Sequence, residues 1–195
     1  MRIYLIRHGE STGDLDDRYG GDYDDHLSEN GQEQARVLAE KLRNKNLQVI
    51  FHSPRIRTVE TARAVFEVTR APLEEIDEIR ERNAYGVLTG LVKSEAQERF
   101  PEEVAELKRD LVYHEVQGSE LYADFKERVL PALNELMAAK YDSIAIVTHG
   151  GPISCFVREV LGRELDRVGD CAVLELERAG SDVRLISLDN AELRE

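Results

Sequence analysis

Two histidines in this chain stand where buried strands would end. Ile3-Tyr4-Leu5-Ile6 is an unbroken apolar run that stops at Arg7-His8-Gly9, and the apolar run from Ser143 to Thr148 stops at His149-Gly150-Gly151. Short runs of this kind read as strands buried on both faces. An open α/β sheet collects its ligands just past the carboxyl ends of such strands. An imidazole held there can act as nucleophile, base or metal ligand. A transferring phosphoryl group spreads charge over three oxygens, so its catalysis is mainly positioning plus positive donors. Arginine brings the planar, bidentate geometry that those oxygens accept. His8, His149, Arg7, Arg57 and one carboxylate would meet that need with no metal ion and no cofactor.

The elements that must position these groups follow from periodicity. Residues 11–27 are polar and glycine-bearing and read as a loop. Its aspartates miss the EF-hand pattern, which needs glycine at the sixth position and glutamate at the twelfth. Ser28 reads as the N-cap of a helix with Ala35, Leu38, Ala39 and Leu42 inward, running to about Lys45. Leu47 to Phe51 make a second strand, ending at His52-Ser53-Pro54. A helix from Arg55 to about Thr69 is expected to bury Ile56, Val59, Ala62 and Phe66, and a weak strand follows at Leu73 to Ile76. Residues 83–118 lack strand periodicity. Pro101 suits the first turn of a helix with Val104, Leu107 and Leu111 on its apolar face. This section reads as an insertion that caps the sheet edge and could act as a lid. Ser119 is expected to cap a long helix with Phe125, Val129, Ala132, Leu133 and Leu136 inward. Pro152 is expected to start another, closed by Gly162. Cys171–Glu177 and Val183–Leu188 flank a turn and read as an antiparallel hairpin. Strand and helix alternate, as in an α/β three-layer sandwich around a mostly parallel central sheet. We expect a single domain over residues 1–195 with a helical cap at about 83–118.

Composition narrows the partners. The 39 acidic against 26 basic residues give a net charge of −13, which argues against a nucleic-acid or anionic-membrane surface, since both need a basic face. A small anionic substrate would need a locally basic pocket. No secretory signal or membrane-length apolar stretch is present. The two cysteines, Cys155 and Cys171, lack C-x-x-C spacing and read as core residues of a reducing compartment. A cytoplasmic protein is the resulting expectation. A free sheet edge or an apolar helix face would allow a homodimer. Neither cysteine opens a C-x5-R motif, because Leu161 and Glu177 stand where the arginine would be. No H-E-x-x-H, Walker loop or G-x-S-x-G occurs. His26 and His114 read as surface residues, and His52 as no closer than a neighbour of the site.

Four separated segments resemble the histidine phosphatase superfamily, which includes the phosphoglycerate mutases. Arg7-His8-Gly9-Glu10-Ser11 resembles its R-H-G-E-S motif. Ser53 to Ala62 is similar to S-x-x-x-R-x-x-x-T-A, Ile79-Arg80-Glu81-Arg82 to L-x-E-R, and Thr148-His149-Gly150-Gly151-Pro152 to the second-histidine motif. The segment from Asp22 to Gly31 also fits. The resemblance implies a phosphoglycerate mutase-like fold in which His8 becomes phosphorylated, Glu81 donates the proton and His149 clamps the transition state. It further implies that Arg7, Arg57, Gly150, Gly21, Arg82 and Lys93 bind phosphate or substrate, a small phosphorylated metabolite. One position departs: Asp14 stands where family members often carry Asn, and a carboxylate there would repel a phosphate dianion unless turned away, paired or protonated.

The mechanism this implies has neutral His8 attacking phosphorus while Arg7, Arg57 and protonated His149 hold the oxygens. Glu81, its pKa raised, would serve as acid and then as base toward water. The first alternative is a phosphoglycerate mutase primed by 2,3-bisphosphoglycerate, because Glu81-Arg82, Tyr85-Gly86 and Gly90-Leu91-Val92-Lys93 resemble the mutase run. The cap is shorter than a mutase's, and Gly-Gly-Pro replaces the usual Gly-Asn-Ser, so hydrolysis is favoured. A non-catalytic module that senses a phosphorylated ligand is the second alternative.

Overall fold

The computed structural model describes residues 1–110 and 112–194. In chain order it runs β1 (Arg2–Arg7), a one-turn helix α1 (Thr12–Leu15), α2 (Glu29–Leu42), β2 (Val49–His52), α3 (Ile56–Thr69) and β3 (Leu73–Glu75). Then come α4 (Lys93–Arg99), α5 (Pro101–Arg109), α6 (Tyr122–Ala138), β4 (Ser143–Thr148), α7 (Gly150–Glu159), β5 (Leu165–Ala179) and β6 (Asp182–Leu193).

Tyr4 is almost completely buried and Ile3, Leu5 and Ile6 are fully so, as are Ile144 to Val147, so β1 and β4 occupy the middle of the sheet with no face to solvent. The six strands lie in the order β3-β2-β4-β1-β5-β6. The first four are parallel, and β5 and β6 add antiparallel at one side. Side chains alternate across a strand, and the two faces therefore carry different cores. Ile3, Leu5, Ile144 and Ile146 meet Phe125, Val129, Leu133 and Met137 of α6 and Ile153 and Phe156 of α7. Tyr4, Ile6, Ala145 and Val147 meet Leu38, Ala39 and Leu42 of α2 and Ala62 and Val65 of α3. The result is the expected three-layer α/β/α sandwich.

β1 and β4 pair in register from Arg2 opposite Ser143 to Arg7 opposite Thr148. The next residue of each strand is a histidine, so this register delivers His8 and His149 side by side.

Several local expectations are corrected. α3 buries Arg57, Thr58, Thr61, Ala62 and Val65, while Ile56, Val59 and Phe66 are only partly covered. Its first turns face a polar basin, so apolar spacing picks the wrong stripe. α6 begins after Leu121 rather than at Ser119. The 11–27 loop contains α1, whose capping box joins Ser11 and Asp14. The strands of the hairpin reach past both predicted ends, with register shifts that a strict alternation pattern does not reveal. In residues 83–118, α4 was not anticipated, and α5 buries Val104 and Leu107 as expected; Leu111 lies outside the described residues. This segment forms its own cluster around Tyr19, Leu88, Ala96 and Leu107. It lies over the carboxyl ends of the strands, where it helps to wall a cavity, rather than along the sheet edge.

Candidate active site

His8 leaves β1 with its ring almost wholly buried. Its Nδ1 lies 2.7 Å from the Gly9 carbonyl oxygen, which can only accept, so Nδ1 carries the proton and Nε2 the lone pair. Arg57 Nε donates to that Nε2 at 3.1 Å and fixes the ring's aim. Burial, then the charges of Arg57 and Arg7, hold the His8 pKa well below the usual 6.5, so the ring is neutral near pH 7. The turn after His8 passes so close to α2 that a Cβ on Gly9 would sit 2.7 Å from the Gly31 carbonyl oxygen.

Arg57 enters from the first turn of α3 and is 4% exposed. Besides His8, it donates to the carbonyls of Tyr23 (2.5 Å) and Gly21 (3.0 Å) and to Asp25 Oδ1 (2.8 Å). Asp25 also accepts from the Gly13 N–H at 2.8 Å, which ties the loop to the arginine. Reading the loop as an acidic surface missed this aspartate. Only its place in the matching Asp22–Gly31 segment hinted at a role, and nothing local separates it from Asp22 or Asp24. Breaking a buried ion pair by removing one partner costs about 3–5 kcal/mol. Asp25→Ala is therefore expected to lose stability of that order in denaturant titration, and to weaken protection by inorganic phosphate as Arg57 loosens.

Arg7, ending β1, donates to the Val168 carbonyl (2.7 Å) and pairs with Asp170 at 3.2 Å while lining the cavity. His149 follows β4, its ring centroid 5.1 Å from that of His8 with the planes at 66°. Ser53 Oγ lies 2.8 Å from His149 Nε2, and His149 Nδ1 is buried with no partner among the described residues. With Ser53 donating to Nε2, Nδ1 carries the proton and has no protein acceptor among the described residues. Burial and the nearby Arg57 depress the His149 pKa well below 6.5. Desolvation therefore favours a neutral ring at His149, where the sequence reading expected a protonated one.

Glu81 follows the turn at Asp77–Ile79 and is held by two backbone donors, Gly151 N to Oε2 (3.0 Å) and Arg82 N to Oε1 (2.8 Å). Thr148 Oγ1 donates to the Ile79 carbonyl at 2.6 Å, joining this loop to the end of β4. Arg128 of α6, paired with Glu120, donates to the Glu78 and Arg80 carbonyls from the other side. Burial raises the Glu81 pKa, opposed by the two N–H groups and by Arg57 and Arg7.

His8, Arg7, Arg57 and Glu81 line a cavity of about 550 Å³ together with Gly21, Gly150, Asp14 and Lys93, and His149 lies directly behind the His8 ring. Lys93 is ion-paired with Asp17 at its mouth. Asp14 is engaged by Ser11, whose N and Oγ both donate to its Oδ2 (3.0 and 2.8 Å). Arg82 does not line this cavity: its Nε donates to the Glu120 carbonyl (2.8 Å) and its Nη1 to that of Val112 (2.5 Å), bracing the cap. His114, expected at the surface, is 2% exposed and lines the cavity, with ring nitrogens 2.9 and 2.6 Å from the Asp110 and Ala84 carbonyls. His52 is buried away from the cavity, and His26 is exposed beside Glu60. Among the described residues no three His, Cys, Asp or Glu side chains gather as a metal-binding group, and no helix is long and apolar enough to cross a membrane.

Four segments distant in sequence thus bring two neutral imidazoles, two guanidiniums and a protonatable carboxyl to one basin, a constellation suited to moving a phosphoryl group. The chain belongs to the histidine phosphatase superfamily (branch 1), whose profile matches residues 3–190. It is 31% identical over 168 residues to phosphoserine phosphatase 1 of Hydrogenobacter thermophilus, covering 86% of this chain and 79% of that one. It is 30% identical over 197 residues to the 2,3-bisphosphoglycerate-dependent phosphoglycerate mutase of Rhizobium etli, covering 96% and 91%. Among solved structures, a mycobacterial glucosyl-3-phosphoglycerate phosphatase superposes with a TM-score of 0.81 at 25% identity, over 96% of this chain and 97% of that one. The family is one of enzymes, and these relatives include both phosphatases and a mutase.

Proposed function

We propose that this chain hydrolyses phosphate monoesters of small metabolites through a phosphohistidine on His8, with no metal ion. The observation that carries the reading is the His8 lone pair, fixed by Gly9 and Arg57 in the same basin as a carboxyl whose pKa is raised. In the first step the Nε2–P bond forms and the P–O bond to the alcohol breaks, and Glu81 gives its proton to the departing oxygen. Arg7, Arg57 and the His149 Nδ1–H take the charge on the phosphoryl oxygens. In the second, Glu81 removes a proton from water, whose oxygen attacks phosphorus, and the N–P bond breaks to release inorganic phosphate and neutral His8. The free cysteines Cys155 and Cys171 suit a reducing compartment, and we assign the reaction to the cytoplasm.

A panel of phosphorylated metabolites assayed for both phosphate release and isomer formation tests the reading. Phosphate release is the expected outcome. Isomerisation of 3-phosphoglycerate that depends on added bisphosphoglycerate would replace it with the mutase reading, which the length of the Rhizobium etli match favours. Binding of phosphate esters without turnover would leave only a sensor.

The pH profile carries its own expectation. Glu81 must be protonated to act as acid, so kcat/KM should fall as pH rises through its raised pKa. At the other end it should fall only when His8 takes a proton, well below pH 6.5. Glu81→Gln is expected to lower kcat about 10²- to 10⁴-fold and to erase the alkaline limb. A limb that survives the substitution assigns it to another group.

A further inference from the structure

Glu81 stands between two cavities. Beyond it lies a second space of about 400 Å³, and Gly21, Ala84, Tyr85 and Gly150 border both. Its wall is largely carbon, from Tyr122 and Phe125 on the first turns of α6 together with Val112 and Leu165, and half-buried Ser154 of α7 faces it as well.

Packing alone does not account for the polar group set in that wall. Arg82 is 6% exposed, yet no carboxylate lies within ion-pair distance of it among the described residues. Its Nε and Nη1 are satisfied by carbonyls, while Nη2 is buried and has no acceptor among the described residues. Native proteins rarely leave such a donor unmet. Arg158, which shares the cavity and lies like Arg82 against the Tyr122 ring (5.6 and 5.8 Å), is different, because Glu164 takes two of its nitrogens at 2.6 and 2.9 Å. Among the described residues, Arg82 Nη2 is the one buried side-chain donor on this wall without a protein partner.

On the proposed mechanism Glu81 protonates the departing oxygen, so the group that oxygen carries must lie beside the carboxyl. Toward the mouth the cations are already engaged, Lys93 by Asp17 and Lys108 by Gln97. Past Glu81 on the other side lie the carbon wall and the unmet donor. We infer that this second cavity seats the leaving group, and that the preferred substrates are phosphate monoesters of alcohols bearing a ring-sized apolar group with one hydrogen-bond acceptor for Arg82 Nη2. The inference rests on the hydrolytic reading and names its substrate class. A cavity of this size falls within the range of small-molecule sites.

The test compares ethyl phosphate, 2-phenylethyl phosphate and the 4-acetyl derivative of the latter, whose leaving alcohols are all primary. Wild-type enzyme should favour phenylethyl over ethyl by at least about tenfold in kcat/KM, with a further gain for the acetyl compound. Ser154→Phe, which fills the cavity from α7, should collapse the phenylethyl preference, as should Leu165→Trp from β5 if the first variant does not fold. Arg82→Met should remove the acetyl gain while a phenylethyl preference remains. Equal rates on the ethyl and phenylethyl esters, or a preference untouched in folded filling variants, would overturn the inference while leaving hydrolysis standing. No hydrolysis of any ester would overturn both.

Discussion

Replacing His8 with alanine is expected to abolish turnover, with kcat falling by at least about 10⁴-fold, on the scale seen when a covalent nucleophile is removed. No other group can take over. Among the described residues the only other imidazole packed against the His8 ring is His149, whose Nε2 is engaged by Ser53. Cys171, the nearest cysteine along β5, has a thiol pushed up to about 12 by burial and Asp170, so it is not a nucleophile near neutrality. The wild-type protein quenched in mid-turnover should carry an acid-labile phosphoryl group, and the variant should carry none. The variant should fold, because the deleted ring gives up one hydrogen bond to a neighbouring carbonyl and one to Arg57. Retained turnover in the purified variant would refute the covalent mechanism outright.

The second large effect is expected at a residue with no side chain. A Cβ on Gly151 would overlap Glu81 Oε1, the oxygen opposite the one that the Gly151 N–H holds. Gly151→Ala must therefore expel the carboxyl, or drag the start of α7 away from it. General acid catalysis contributes about 10²- to 10⁴-fold, so kcat should drop within that range, with product inhibition by phosphate changed little. In kcat/KM, which reports the first step, the loss should be greatest for alkyl esters, whose alkoxide needs the proton, and small for p-nitrophenyl phosphate, whose leaving group departs unaided. A uniform loss in kcat/KM across leaving groups would mean that Gly151 supports the structure without serving the acid.

What the sequence disclosed follows the physics of each segment. β1 and β4 were legible because strands buried on both faces cannot hide their apolar runs, and the polar residues that break those runs mark the ligand end. Arg57 was legible only through its motif, since Arg63 shares that helix, Arg55 caps it, and arginines one turn apart look the same in sequence. α3 misled for the same reason: its buried stripe is polar where it meets the site, so the apolar periodicity pointed elsewhere. Asp25 was only hinted at and His114 was invisible because their roles are set by partners that local pattern does not reveal, a guanidinium from α3 and two carbonyls within the cap. Asp14 looked incompatible with phosphate from its type alone. Its engagement by Ser11 depends on the one-turn helix that the glycine-bearing sequence did not announce.

The pairing of β1 with β4 ties the first residues of the chain to a segment near its far end. Neither histidine has its counterpart until that long loop closes, which is a slow and entropically costly event. A nascent or partly unravelled chain consequently holds no half-competent centre. The two imidazoles face one another only once the first and fourth strands of the sheet lie side by side.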